Sequence, residues 1–203
     1  ELVYTNKRSK AISDGMEIDA DNFEYDKSKN ILNASGNVKI DNKDENYLIY
    51  ANEAIYQKNK ELFLTKGKSK AINEGVVIDA DNFEYNKISN IINASGNVKI
   101  DNKDENYLIY ADEATYFKNK ELFLTKGKSK TINEGVVIEA DNFEYNKINN
   151  VINANGNVKI KDTINDYLIL TNKASYYRNS EKIVTQGETE ADIQSKYFIN
   201  SKD

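Results

Sequence analysis

The chain has 203 residues, with 28 basic and 33 acidic side chains, a formal net charge of -5, and no His, Cys, Pro or Trp. Without His or Cys there is no Ser-His-Asp or Cys-His nucleophile system, no Cys/His zinc site, no haem ligand pair and no redox dithiol, so only carboxylate, Lys or Tyr chemistry stays open. The acidic balance offers no basic stripe for a phosphate backbone, which excludes an ordinary nucleic-acid binder.

With 39% apolar and 30% charged residues the core of a sphere would be thin, so an elongated shape is expected. No apolar run approaches the roughly 20 residues that span a bilayer as a helix. No charged-then-apolar leader follows Glu1, so any signal peptide is expected to have been removed or to lie outside this sequence.

An internal repeat organises everything else. The nine glycines fall at Gly15, Gly36, Gly67, Gly75, Gly96, Gly127, Gly135, Gly156 and Gly187, so the spacing 21, 31, 8 recurs with a period of 60. Residues 15–74 and 75–134 differ at ten of 60 positions, and residues 135–194 follow the same plan with more drift. Residues 1–14 align without a gap on 61–74, and residues 195–203 open a further copy. The expected organisation is one continuous repeat domain over 1–203: a partial copy (1–14), three full copies (15–74, 75–134, 135–194) and a second partial copy (195–203). Because both ends fall within a repeat, and repeat arrays usually end in atypical capping units, a fragment of a longer protein is expected.

In chain order, each 60-residue copy divides again into two halves of about 30 residues. Aligning Ile78-Asp79-Ala80-Asp81 on Ile109-Tyr110-Ala111-Asp112 brings Tyr85 onto Tyr116, Ile92 onto Phe123 and Gly96 onto Gly127. Each copy starts with a short strand (Ile78, Ala80) and a corner near Asp81-Asn82, where the apolar parity slips before Phe83 and Tyr85. A polar turn at 85–90 follows, then a strand in which Ile92, Ala94, Gly96, Val98 and Ile100 alternate with Asn93, Ser95, Asn97 and Lys99. A second polar turn at 101–106 leads to the next half. That period of two excludes a helix, and the absence of Pro suits sheets whose backbone donors are all in use. The class is all-β; periodicity by itself leaves a parallel solenoid and an antiparallel jelly roll both open.

Two polar features invite a chemical reading and lose it. The turn Asp41-Asn42-Lys43-Asp44-Glu45-Asn46 carries oxygen donors but lacks the Gly and terminal Glu of an EF-hand loop, and its third copy, Lys161 to Asp166, loses most of them. Asp79 and Asp81 stand at i and i+2, within range of paired glycosidase carboxylates, but they recur as Asp19/Asp21 and Glu139/Asp141, whereas a catalytic pair needs one asymmetric environment. No catalytic residue, metal or cofactor is expected, and the phosphate-binding G-x-x-x-x-G-K-[ST] is absent. The lysines of 66–70 and 126–130 suit protection of a sheet edge, or contact with anionic sugar or phosphate at a groove mouth.

The patterns IDADNFEY, NASGNVKI, YLIYADEATY and ELFLTKG resemble the OstA-like lipopolysaccharide-transport family, which includes the periplasmic bridge LptA, the membrane-tethered LptC and the periplasmic N-terminal domain of the outer-membrane assembly protein LptD. The most specific elements are the I-x-A-D...Y opening and the A-x-G-N-V-x-I strand at Ala34 to Ile40, Ala94 to Ile100 and Ala154 to Ile160. The resemblance implies an open, twisted antiparallel β-jelly roll whose apolar interior carries lipid acyl chains, with lipopolysaccharide and other jelly-roll domains of the transport path as partners. Those partners would join edge to edge by strand pairing. Head-to-tail self-association is expected separately, from near-identical copies cut through at both ends. It implies residence in the periplasm of a Gram-negative bacterium, at the outer membrane if this is the LptD domain.

The expected groove residues are Ile18, Ala20, Phe23, Tyr25 and Ile40 in the first copy. In the second they are Ile78, Ala80, Phe83, Tyr85, Ile92, Ala94, Val98, Ile100, Ile109, Ala111, Tyr116 and Phe123. In the third they are Ile138, Ala140, Phe143, Tyr145, Val158, Ile160 and Ile169. The rival expectation from the same stripe is a structural or adhesive β-solenoid with a fully packed core.

Overall fold

In the computed structural model the described residues are 1–203 except Asn6, Asp14, Glu45 and Asp203, with the side chain of Ser13 also outside the description. Among the described residues strands hold 73%, all pairings are antiparallel, and no α-helix occurs. The chain divides into two compact units, Glu1–Asp104 and Glu105–Asp203.

The first unit holds β1 (Leu2–Thr5), β2 (Ser9–Ser13), β3 (Met16–Ala20), β4 (Asn22–Asp26), β5 (Ile31–Asn42), β6 (Tyr47–Gln57), β7 (Leu62–Lys66), β8 (Ser69–Asn73), β9 (Val76–Ala80), β10 (Asn82–Asn86) and β11 (Ile91–Asn102). Long strands bend in the middle, so their halves belong to different layers. One layer runs β2, β3, the second half of β5, the first half of β6, β8, β9 and the second half of β11. The other runs through β4, the first half of β5, the second half of β6, β7, β10 and the first half of β11, with β1 on the free side of β4.

The second unit repeats the plan with β12 (Tyr107–Phe117), β13 (Leu122–Lys126), β14 (Ser129–Asn133), β15 (Val136–Ala140), β16 (Asn142–Asn146), β17 (Val151–Asp162), β18 (Tyr167–Tyr177), β19 (Lys182–Ile193) and β20 (Tyr197–Ser201). Its first layer joins the first half of β12 to β14, β15, the second half of β17, the first half of β18, the second half of β19, and β20. Its second layer joins the second half of β12 to β13, β16, the first half of β17, the second half of β18 and the first half of β19.

The corners between layers explain the glycine lattice. Gly36 and Asn37 take φ of 76° and 48°, and the β5–β6 register shifts between Ser35 and Val38. The bend carries the chain to the other layer while alternate side chains stay inside. At the same place Asp21 donates its backbone N–H to the Gly36 carbonyl (2.9 Å), and its carboxylate accepts from Asn37 Nδ2 (2.7 Å). Asp81 with Gly96 and Asn97, and Asp141 with Gly156 and Asn157, repeat the set. The expected corner at Asp81-Asn82 is present, with Asp81 lying between β9 and β10. The turns at 87–90 and 103–106 end on Asn90 and Asn106 at φ of 55° and 53°, the left-handed region that asparagine tolerates best.

Within each unit the layers are therefore joined along one side by corners, and their strand ends meet along the other side as two rows of turn tips. Small residues sit at the corner side: Ala20, Ala34, Ala51 and Ala54 in the first unit, Ala111, Ala114, Ala140, Ala154 and Ala174 in the second, all buried. A wedge is narrowest at its apex, so only small side chains fit there. Larger ones fill the width beyond, and Ile40, Ile100 and Ile160 are fully buried. Each such isoleucine contributes ~1.5–3 kcal/mol of burial to holding the layers together.

Candidate functional site

The residues expected to line a groove all lie on the inner faces of the layers. Most of them are closed off from solvent; only Tyr25, Ile92, Tyr116 and Ile169 are half-exposed. The interior is filled mainly by its own side chains. The alanines, which could have kept the layers apart, instead mark the apex where the layers converge.

Aromatic residues complete the wide side of each wedge. In the first unit Tyr56 stacks on Phe63 with centroids 4.1 Å apart, Phe63 faces Tyr85 at 6.4 Å, and Tyr85 meets Tyr47 edge-on at 5.5 Å. Tyr47 starts β6 in one layer and Tyr85 lies in β10 of the other, so this contact crosses the row of tips. In the second unit Tyr116, Phe123, Tyr145 and Tyr107 repeat the chain at 4.1, 6.3 and 5.3 Å. Burial raises the Tyr145 hydroxyl above its ordinary value, partly opposed by Arg178, so it stays protonated. Tyr56 and Phe63 are the 60-residue counterparts of Tyr116 and Phe123; Tyr47 and Tyr107 were not singled out from the sequence, although Tyr47, Tyr107 and Tyr167 recur at a spacing of 60.

Among the described residues each unit has open apolar space. In the first unit a cavity of about 360 Å³ lies between β1 and β2 and is lined by Val3, Ala11, Ile12, Phe23, Tyr25, Leu32 and Tyr56, with Thr5, Ser9, Lys10, Asn30 and Lys58 as its polar members. It lies at the low end of the ~300–1,000 Å³ range of ligand pockets and combines apolar walls with a few polar groups. In the second unit a cavity of about 290 Å³ is bounded by Leu168, Leu170, Phe198 and Ile199.

The polar features have structural work. Asp81 is held at the corner by Gly96 and Asn97, and Asp79 lies 3.5 Å from Lys70, so the two carboxylates serve a corner and a surface ion pair instead of facing one reacting atom. Asn42 caps its own turn by accepting from the Asp44 N–H (3.1 Å), and Asn102 does the same for Asp104 (3.0 Å). Among the described residues no group of three or more acidic side chains could hold a metal ion. The lysines of 66–70 and 126–130 lie at corners, away from the tips, and Lys126 and Lys130 pair with Glu113 and Glu139 at 3.8 and 3.3 Å. Inside the apex, Thr65 and Ser69 hydroxyls share a 2.7 Å hydrogen bond, and Thr65 Oγ1 accepts from the Phe83 N–H at 2.9 Å, so the backbone donor beside the corner is not left unpaired.

No helix among the described residues is long and apolar enough to cross a membrane. No curated protein matches the chain. Among solved structures 15 chains match it. One is LptH, described as the LptA-homologous periplasmic component of the conserved lipopolysaccharide transport device from Pseudomonas aeruginosa. It is 15% identical, with a TM-score of 0.53 over 56% of this chain and 85% of that one. At that identity the likeness shows the fold, an LptA-like β-jelly roll. The model of the LptA/(LptD N-terminal domain) LPS transport protein family matches residues 77–197, more than half of the sequence. The chain therefore belongs to the LptA/LptD N-terminal domain family of lipopolysaccharide-transport proteins.

Proposed function

We propose that this chain carries the acyl chains of lipopolysaccharide between its two layers and passes them along the periplasm of a Gram-negative bacterium toward the outer membrane. It would do so as the N-terminal domain of an LptD-type assembly protein or as an LptA-like bridge. The observation that carries the reading is a wedge whose inner face is mostly apolar and whose layers are covalently joined along one side only. Parting the tips would expose that face without breaking a strand. Acyl transfer from water contributes ~0.8 kcal/mol per CH₂, so one chain of ~12 carbons gains on the order of 10 kcal/mol before ordering costs. That is enough to compete with contacts between the tips. The chain supplies no nucleotide site, so movement in one direction needs energy from elsewhere.

The half-exposed or cavity-lining residues Phe23, Tyr25 and Tyr116 are where an acyl chain would first touch the protein. A photoreactive residue at Tyr25 or Tyr116 is expected to cross-link lipopolysaccharide, and one at outward-facing Lys99 is not. Equal labelling from Lys99 would overturn the reading and favour a packed structural domain that binds other proteins by its edges. Which family member this is follows from a barrel-coding region downstream (LptD) or its absence in the gene (LptA).

A further inference from the structure

The second unit contains a polar cluster that the first-layer and second-layer tips share. Arg178 follows β18 in the second layer, at the position where the earlier copies carry Lys58 and Lys118. Its side chain is only 10% exposed. Within its own layer, Nη1 donates to the Tyr145 hydroxyl and to Asn150 Oδ1, both at 2.7 Å. Toward the other layer, Nη2 donates to the Glu105 carbonyl at 2.9 Å and Nε to Asn133 Oδ1 at 3.4 Å, with the Glu105 carboxylate 3.6 Å away. The guanidinium also lies 5.4 Å from the Tyr107 ring and 5.7 Å from the Tyr145 ring. Glu105 precedes β12 and Asn133 ends β14, both in the first layer. The same Glu105 carboxylate lies 3.1 Å from the Tyr145 hydroxyl and 3.6 Å from Lys147 Nζ, both in or next to β16 of the second layer.

The geometry points to a latch: Arg178, with Lys147 and Tyr145, clamps onto Glu105 and Asn133 and holds the two rows of tips of the second unit shut. Every one of these bonds except those from Arg178 to Tyr145 and Asn150 spans the side on which no backbone joins the layers. The guanidinium itself is largely shielded, and charge-assisted hydrogen bonds in a partly dry site are stronger than exposed ion pairs. The planar fork is what allows one side chain to reach four acceptors from two layers; a lysine, with a single nitrogen, cannot reproduce it. Of the three copies only the third carries an arginine at this position. Within the second unit the latch keeps the wedge closed to an entering chain until the tips part.

The chain has no Cys, so two introduced cysteines report distance without background labelling. Spin labels at Ile164→Cys and Ser180→Cys sit on exposed tips of the first and second layer, outside the cluster, in the full chain. The parent is expected to give one narrow distance. Arg178→Gln and, independently, Glu105→Gln are expected to add a longer, broader component, raising the open fraction about tenfold or more, with Arg178→Lys between them. Unchanged distances in both variants, even with a lowered unfolding midpoint, overturn the latch and leave Arg178 as a staple of its own turn. Uptake of a fluorescent dodecyl amphiphile, measured in parallel, is expected to quicken several-fold in the open variants. Distances that lengthen without faster uptake keep the latch and instead overturn the acyl-carrying reading on which its role rests.

Discussion

Single residues show how a repeat is tuned without changing its backbone. Asn42, Asn102 and Asp162 occupy the same buried position at the end of a long strand. Burial works against ionisation of Asp162, but the Asn165 and Ile164 N–H groups, the Asn165 side chain and Tyr167 bond its carboxylate and hold it below the ordinary carboxylate value. A group lowered in the folded state stabilises it above the unfolded value and loses that contribution as pH falls through the folded one. Asp162→Asn is therefore expected to flatten the pH dependence of stability below about pH 4, as read from thermal midpoints between acid and neutral pH. A midpoint difference between variant and parent that stays constant over that range would contradict it. At the corners the constraint is steric. A Cβ on Gly36 would lie 2.5 Å from Asp21 Oδ2 in a backbone with φ of 76°, so Gly36→Ala is expected to cost ~1–3 kcal/mol in denaturant unfolding.

Elements fail or associate at their edges. β20 pairs with β19 on one side, and among the described residues no strand covers its other side. Its Tyr197, Phe198 and Ile199 are 64, 75 and 51% exposed, an apolar strand with free backbone groups. Such an edge is a template for strand addition, and near-identical copies make any donor edge a good mimic of the next one. Concentration-dependent oligomers are expected in sedimentation. Phe198→Pro, which removes one edge donor, is expected to shift them toward monomer. A monomer at millimolar concentration in the parent would refute this.

For the whole molecule, the repeat predicts which large changes are tolerated. Asn73 faces Val76 in the β8–β9 register, and Asn133 faces Val136 in the β14–β15 register. Joining Glu74 directly to Gly135, with residues 75–134 removed, recreates the same turn between β8 and β15. Repeat stability is close to a sum of units and neighbour interfaces, so the shortened chain is expected to keep its β signal per residue in circular dichroism and to unfold cooperatively at a lower temperature. Cutting ten residues from within a strand pair, by contrast, changes the register and is expected to abolish the cooperative transition.

The class of fold, the strands and the turns could be read from residue pattern because their causes are local. Alternation such as Val98, Lys99, Ile100 needs one apolar face, Asn90 and Asn106 need left-handed dihedrals, and Gly36 needs a corner without a Cβ. The inward parity of the candidate site was legible for the same reason. What the alternation could not carry was the distance between the two layers, since inward-facing is the same pattern whether the space beyond is a lipid or another side chain. Only the folded wedge decided that Ala34 and Ala54 mark its apex and that Tyr47 meets Tyr85 across its open side. It also decided that Arg178 lies against Glu105, a residue 73 positions earlier, because that contact is made by the meeting of two layers whose separation no local preference encodes.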